Sequence, residues 1–472
     1  MRRSIFTALL LAATLASAQT TKRPMTFEDM MHMKRLGSTA VSPDGKWLGY
    51  SVTSVDLAQN TKTPELWLQK IEGGDPIKLS VAQPNDDGLQ FAPDNKRILF
   101  TSSREQGQQI WLADFDAATG ATTNPKKLTT IATEADNAKW SPDGNSIVFT
   151  SAVYPDCPAI TAADGKTGDQ CNAERDAALA SSKVKAQIFT HLMYRHWNRF
   201  TGEKRTHLFL LDVATGRMRD LVPNNPHDVP TDYPTDPLGC GCAFSPDSKE
   251  LAITWKDVPD EAVSTNSDIF TLDLTNPNAK PVKVSTSPGG DMSPAYSPDG
   301  KYLAWRSQAR GGYESDRFRL ALYDRSQKAI KYLLPNFENW IDEFIWESTW
   351  TDGTQHILFV SGEKGESALY LTDVNGQSVR RRYGQVPGEW SDIHYAVWNA
   401  PSVPAGTSGA MDRITHGFDV VIGNLMRVDH PSEVVAADLT KMNDDEQKII
   451  FKKSGDPSDP ARKMQLYVPL HL

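Results

Sequence analysis

Several things are scarce in this 472-residue chain, and each scarcity excludes a class of function. Basic residues are outnumbered, 50 Lys and Arg against 59 Asp and Glu, for a net charge of −9. A nucleic-acid partner wants a basic face, so none is expected. Apolar runs long enough to span a bilayer are missing, which leaves no membrane span to expect. There is no phosphate-binding loop and no H-E-x-x-H pair. The nearest approach to a G-x-S-x-G elbow is Gly406-Thr407-Ser408-Gly409-Ala410, with alanine in the last place. Flanked by Pro401 and Pro404, it reads as a surface loop. No cofactor is expected.

Cysteine is rare too, at four: Cys157, Cys171, Cys240 and Cys242. Their spacing matches no zinc pattern, so no metal site is expected. The first 18 residues read as a secretory leader, with Arg2 and Arg3 as basic head, Ile5 to Ala16 as apolar run and Ala16-Ser17-Ala18 as cleavage site. Arg2-Arg3 hints at twin-arginine export, but the strongly apolar run favours the ordinary route. The mature chain is therefore expected to be exported, periplasmic or extracellular, where cysteines pair. Cys157 with Cys171 is the favoured pair, closing a loop worth roughly 3 kcal/mol. Cys240 and Cys242 are further disulfide candidates. A bond within their tripeptide would be strained, so a partner from elsewhere is the alternative.

What is present is a repeat. Ser42-Pro43-Asp44-Gly45, Ala92-Pro93-Asp94-Asn95, Ser141-Pro142-Asp143-Gly144, Ser245-Pro246-Asp247-Ser248 and Ser297-Pro298-Asp299-Gly300 each precede an apolar strand, with Thr351-Asp352-Gly353 a weaker sixth copy. Proline presets φ at the second position, and glycine or asparagine accepts the left-handed conformation at the fourth. Ser248 is a poorer substitute there, and an open turn or a turn of another type is the expectation. Starts lie 50, 49, 104, 52 and 54 residues apart. A period near fifty with four strands per unit predicts an all-β fold, a seven-bladed β-propeller of four-stranded blades. The double-length gap predicts an insertion at about 154–205 inside the third blade. A seventh blade is expected after Val379, with Pro431 to Leu439 as its second strand. The expected organisation is a leader at 1–18, a lead-in at 19–40, the propeller at 41–442, and a linker or the start of a further domain at 443–472.

Within the insertion, Lys185 to Phe200 mixes apolar and basic residues at near-helical spacing. One reading is a short helix capping the propeller. The functional alternative has Arg195, His196, Trp197 and Arg199 lining a pocket at the propeller mouth, where the arginines meet a carboxylate or a carbonyl-rich ligand. Glu203 would receive a cationic ligand end. His191, His196 and His207 are spaced wrongly for a common metal. The repeat tryptophans Trp47, Trp67, Trp111, Trp140 and Trp305 read as packing between blades.

Taken together, Phe27-Glu28-Asp29-Met30, Ser42-Pro43-Asp44-Gly45-Lys46-Trp47, Glu65-Leu66-Trp67-Leu68, Gly73-Gly74, Tyr194-Arg195-His196-Trp197 and Gly202 to Phe209 resemble a known family. It is the secreted prolyl oligopeptidase family, in its dipeptidyl-peptidase and acylaminoacyl-peptidase branch. The resemblance runs to about Met442. It implies a propeller that covers an α/β-hydrolase domain carrying a Ser-Asp-His triad and admits only peptides. No residue of this sequence corresponds to that triad, so no catalytic residue is expected here and the chain alone would be inactive. The peptide substrate would be met through the hydrolase domain. The alternative is a stand-alone binding propeller like that of the periplasmic Tol system, docking an envelope protein partner.

Overall fold

In a computed structural model, the chain is described over residues 23–438 except 72, 106, 161–164, 191, 193, 197–198, 201, 232–239, 348–353, 378, 384–387, 399–417 and 428–429, together with 466–468. The leader and the turn at 351–353 lie outside the described residues.

The turn motif is held from within. In four copies the serine Oγ donates to the aspartate two residues on, at 2.6–2.7 Å, and accepts the amide five residues on at 2.9 Å. That pair of bonds aims the chain into the next strand. Burial opposes ionisation of Asp44, Asp143 and Asp299, yet the serine hydroxyl and following amides hold all three below the usual range. Ser248 departs from expectation. It adopts φ +61° and its amide still closes the turn on the Ser245 carbonyl at 2.8 Å. Its hydroxyl accepts the Asp143 amide of the neighbouring turn at 3.1 Å, which offsets the left-handed backbone.

The strands form antiparallel sheets in simple meander order around an axis. Blade 1 runs from Arg35–Val41 to Ile77–Lys78, and blade 2 from Asp87–Phe91 to Thr122–Lys127. Blade 3 has Asp136–Trp140 and Ser146–Val153, then Arg205–Asp212 and Met218–Asp220. Blade 4 runs from Cys242–Phe244 to Val282–Lys283, and blade 5 from Asp291–Tyr296 to Ala329–Tyr332. The sixth starts at Ile341–Trp346 and holds eight strands, ending with Phe418–Arg427, His430–Asp438 and Leu466–Val468. The propeller therefore has six blades, not the seven expected. The strands that would make a seventh join the sixth sheet, where Ser367 pairs in parallel with Glu389.

Apolar clusters fill the gaps between sheets. Trp47, Leu66 and Leu68 of blade 1 pack on Phe91, Phe100 and Trp111 of blade 2. Leu99 and Ile110 of blade 2 meet Trp140, Phe149 and Phe209 of blade 3. The ring closes where Leu48, Tyr50 and Val52 of blade 1 meet Ile422 and Val434 from the far end of the chain. Alternation with period two supplies one such face to each side of a strand.

Candidate functional site

The innermost strands carry a recurrent irregularity. Their pairing slips between Leu36 and Thr39, Asp87 and Gln90, Met292 and Ala295, Ile341 and Glu343, and Ser391 and His394. Left-handed residues mark three of these bulges, at Gly88, Ser293 and Asp392, and Asn137 marks a similar slip on the first strand of blade 3. A bulge leaves an amide outside the ladder, and carboxylates take up several of them. Asp87 accepts the Gly88 amide and Asp136 the Asn137 amide, both at 2.8 Å.

At the ring seam the same device works between strands. Glu343 accepts the amides of Asp392 at 3.0 Å and Ile393 at 2.6 Å. Asp392 in turn accepts the Thr39 amide at 3.1 Å and hydroxyl at 2.7 Å, while His394 Nε2 lies 3.1 Å from its other oxygen. Burial pushes Glu343 up, against the pull of the two amides. Burial also opposes Asp392, but His394 and Thr39 prevail and hold it low. Asp136 is raised first by the protein around it, then by the charges of Asp87 and Glu134. Solvent still reaches it.

The insertion leaves blade 3 at Val153 and returns at Arg205. Its base is tied to helix α1 (Gly165–Ser181) by the Cys157–Cys171 disulfide. Arg175 lies 4.1 Å over the Tyr154 ring, bonds Asp156, and reaches Glu203 at 2.7 Å. Tyr154 donates to Asp176 at 2.9 Å, and Lys204 pairs with the same carboxylate at 3.1 Å. Beneath lies a small pocket lined by Tyr154, Cys157, Asn172, His207, Asp220 and Asn224. His207 Nδ1 sits 2.7 Å from the Asp220 carboxylate and Nε2 3.0 Å from the Asn225 carbonyl. A carboxylate and a carbonyl both accept, so this pair of partners favours the doubly protonated ring. Burial opposes that charge, but Asp220 and the carbonyl win and the pKa is raised.

The sequence-derived site residues are only partly brought together. Arg195 and His196 form a two-residue strand against Arg199 and Phe200, a hairpin rather than the helix considered for 185–200. Trp197 lies outside the described residues. Glu203 is engaged by Arg175. The second disulfide joins the candidates Cys240 and Cys242 to each other, not to the alternative partner from elsewhere. Gly241 makes this feasible: its φ of +56° bulges the chain, bringing the two Cα atoms to 5.2 Å. The clasp residues Thr39, Glu343 and Asp392 had no signal in the sequence, since they sit on separate strands without a shared motif. Among the described residues no group of three or more His, Cys, Asp or Glu is arranged to hold a metal ion.

No protein-family model matches the chain. Among curated proteins it is similar to the dipeptidyl-peptidase 5 of Porphyromonas gingivalis, 26% identical over 375 residues, which are 78% of this chain and 51% of that protein. The dipeptidyl-peptidase 5 of Porphyromonas endodontalis is 29% identical over 308 residues, 63% of this chain and 40% of the relative. The chain thus spans about half the length, or less, of these relatives. Among solved structures, the acylaminoacyl peptidase of Pyrococcus horikoshii superposes with a TM-score of 0.56 at 13% identity, over 87% of this chain and 52% of that one. The β-propeller domain of the Trilobed protease from Pyrococcus furiosus gives 0.51 at 12% identity, over 85% of this chain and 95% of that domain. At such identities the superpositions show the fold.

Proposed function

Because the chain carries the propeller part of a prolyl oligopeptidase-family peptidase, we propose that it gates an exported serine exopeptidase that releases dipeptides from peptide N-termini. The observation that carries this reading is the similarity to dipeptidyl-peptidase 5 across most of the chain. Acyl transfer itself belongs to an α/β-hydrolase domain with its Ser-Asp-His triad. The propeller's part is to bind, orient and exclude. An axial passage walled by stapled strands admits an extended peptide and refuses a folded protein. Carboxylates on and beside the innermost strands, such as Asp136 with the charges of Asp87 and Glu134 near it, favour the ammonium end of a peptide. Two disulfides suit an oxidising compartment, in keeping with the leader read at 1–18.

The test is a polypeptide carrying this propeller ahead of its hydrolase domain, assayed on a dipeptidyl anilide and on a stably folded protein. Cleavage of the first without the second is expected. Comparable cleavage of the folded protein would refute the gating role.

A further inference from the structure

From Ala177 to Gly202 the insertion contains no acidic residue, while Lys183, Lys185, Arg195 and Arg199 fall within it. The rest of the chain is acidic enough to leave a net charge of −9. The same segment holds its large apolar side chains outward: Ile188 is 89% exposed, Val184 70% and Leu192 62%. Phe189 stands 5.2 Å from Tyr194 and 5.9 Å from Phe200, ring centre to ring centre, and all three rings are exposed. Most other large apolar side chains are buried between blades, though some, such as Val263 and Val282, are exposed; a concentration like that of the insertion calls for a covering surface.

We propose that this insertion lies on an anionic phospholipid surface, apolar and aromatic side chains at headgroup depth and lysines against the phosphates. Three observations favour that occupant. The first is charge: the patch is basic on an acidic body, so an anionic surface attracts the patch and repels the remainder, which orients the molecule. The second is composition, since exposed aromatic rings beside lysine are what an interfacial segment needs to straddle water and acyl chain. The third is backbone. Residues 183–190 form no helix or strand, and their amides stay hydrated at headgroup depth but would not in a hydrocarbon core. No described helix is long and apolar enough to span a bilayer, so the contact is peripheral. A second copy fits less well. A symmetric contact would set Lys183 and Lys185 against their own counterparts.

The test is co-sedimentation of the 472-residue chain with vesicles of phosphatidylethanolamine and phosphatidylglycerol, and with neutral phosphatidylcholine vesicles. At least a tenfold preference for the anionic vesicles is expected, falling as salt rises. Ile188→Ser with Leu192→Ser should lower binding at least tenfold, and Lys183→Glu with Lys185→Glu should abolish the preference for anionic lipid. All four positions are exposed, and unchanged melting temperatures will confirm that the fold is intact. The apolar run near the N-terminus is common to every variant and cancels. Equal binding by wild type and variants would overturn the proposal, as would failure of the wild type to sediment. So would a wild-type dimer in solution that Ile188→Ser with Leu192→Ser turns into a monomer, which would assign the patch to a second copy.

Discussion

Asp291 offers a sharp test of how burial sets stability in this propeller. It opens the innermost strand of blade 5 and is fully buried. Burial raises its pKa to about 7. Contacts with Ser307, Trp305 and Ser285 work the other way, and the neighbouring Asp268 charge adds to the rise. Trp305 Nε1 donates to one carboxylate oxygen at 2.9 Å, while the other oxygen has no hydrogen-bond partner. An unfolded aspartate titrates near 3.8. Between those values the folded chain holds a proton that the unfolded chain has released. Stability therefore falls as pH rises through that window and levels off above about 7. Three pH units correspond to about 4 kcal/mol as an upper bound, and about 2 kcal/mol is reasonable after relaxation. Asp291→Asn copies the protonated acid in shape and removes the titration. Urea unfolding followed by tryptophan fluorescence from about pH 4.5 to 8.5 should show the variant gaining on wild type by about 2–4 kcal/mol, with most of the gain below pH 7. A gap between the two proteins that stays constant across this range would refute the reasoning.

Three further outcomes follow from the geometry. His207 has a raised pKa, so its stabilisation is complete below about pH 6.5 and is lost as pH rises through the folded value; the advantage of wild type over His207→Gln in thermal melts should be greatest in acid and shrink in base, and a constant advantage would count against the charged ring. Glu343→Ala strands two amides near the ring seam and should cost about 3 kcal/mol, with Glu343→Gln recovering part of it; equal melting points for the two variants would show that the clasp is idle. Replacing Cys157 and Cys171 by serine should cost the insertion roughly 3 kcal/mol. Limited proteolysis should then nick 154–205 sooner while the blades stay intact, and an unchanged digestion pattern would contradict the role given to that disulfide.

How much of this was legible depended on range. The turns were readable because Ser42, Asp44 and Gly45 satisfy one another within six residues, and only Ser248 misled, its support coming from Asp143 in another blade. The insertion was visible as a broken period. Its helix was not found at the right place, because apolar spacing pointed to 185–200. The helix at Gly165–Ser181 shows no apolar stripe and draws instead on good helix formers such as Ala177, Ala178 and Ala180. The blade count failed because the closing strands carry no turn motif and join the sixth sheet through one bridge at Ser367 and Glu389. The carboxylate clasps were invisible for a related reason. Asp392 lies 353 residues from Thr39 and Glu343 lies 50 from Ile393, so proximity in the ring is their only link.

The proposed function has this propeller serve a peptidase without itself performing the chemistry. The most direct measurement is the hydrolysis of a dipeptidyl chromogenic substrate by the purified 472-residue chain, with fluorophosphonate labelling in parallel. The account predicts neither turnover nor label. Turnover that persists through purification and is blocked by the fluorophosphonate would contradict it.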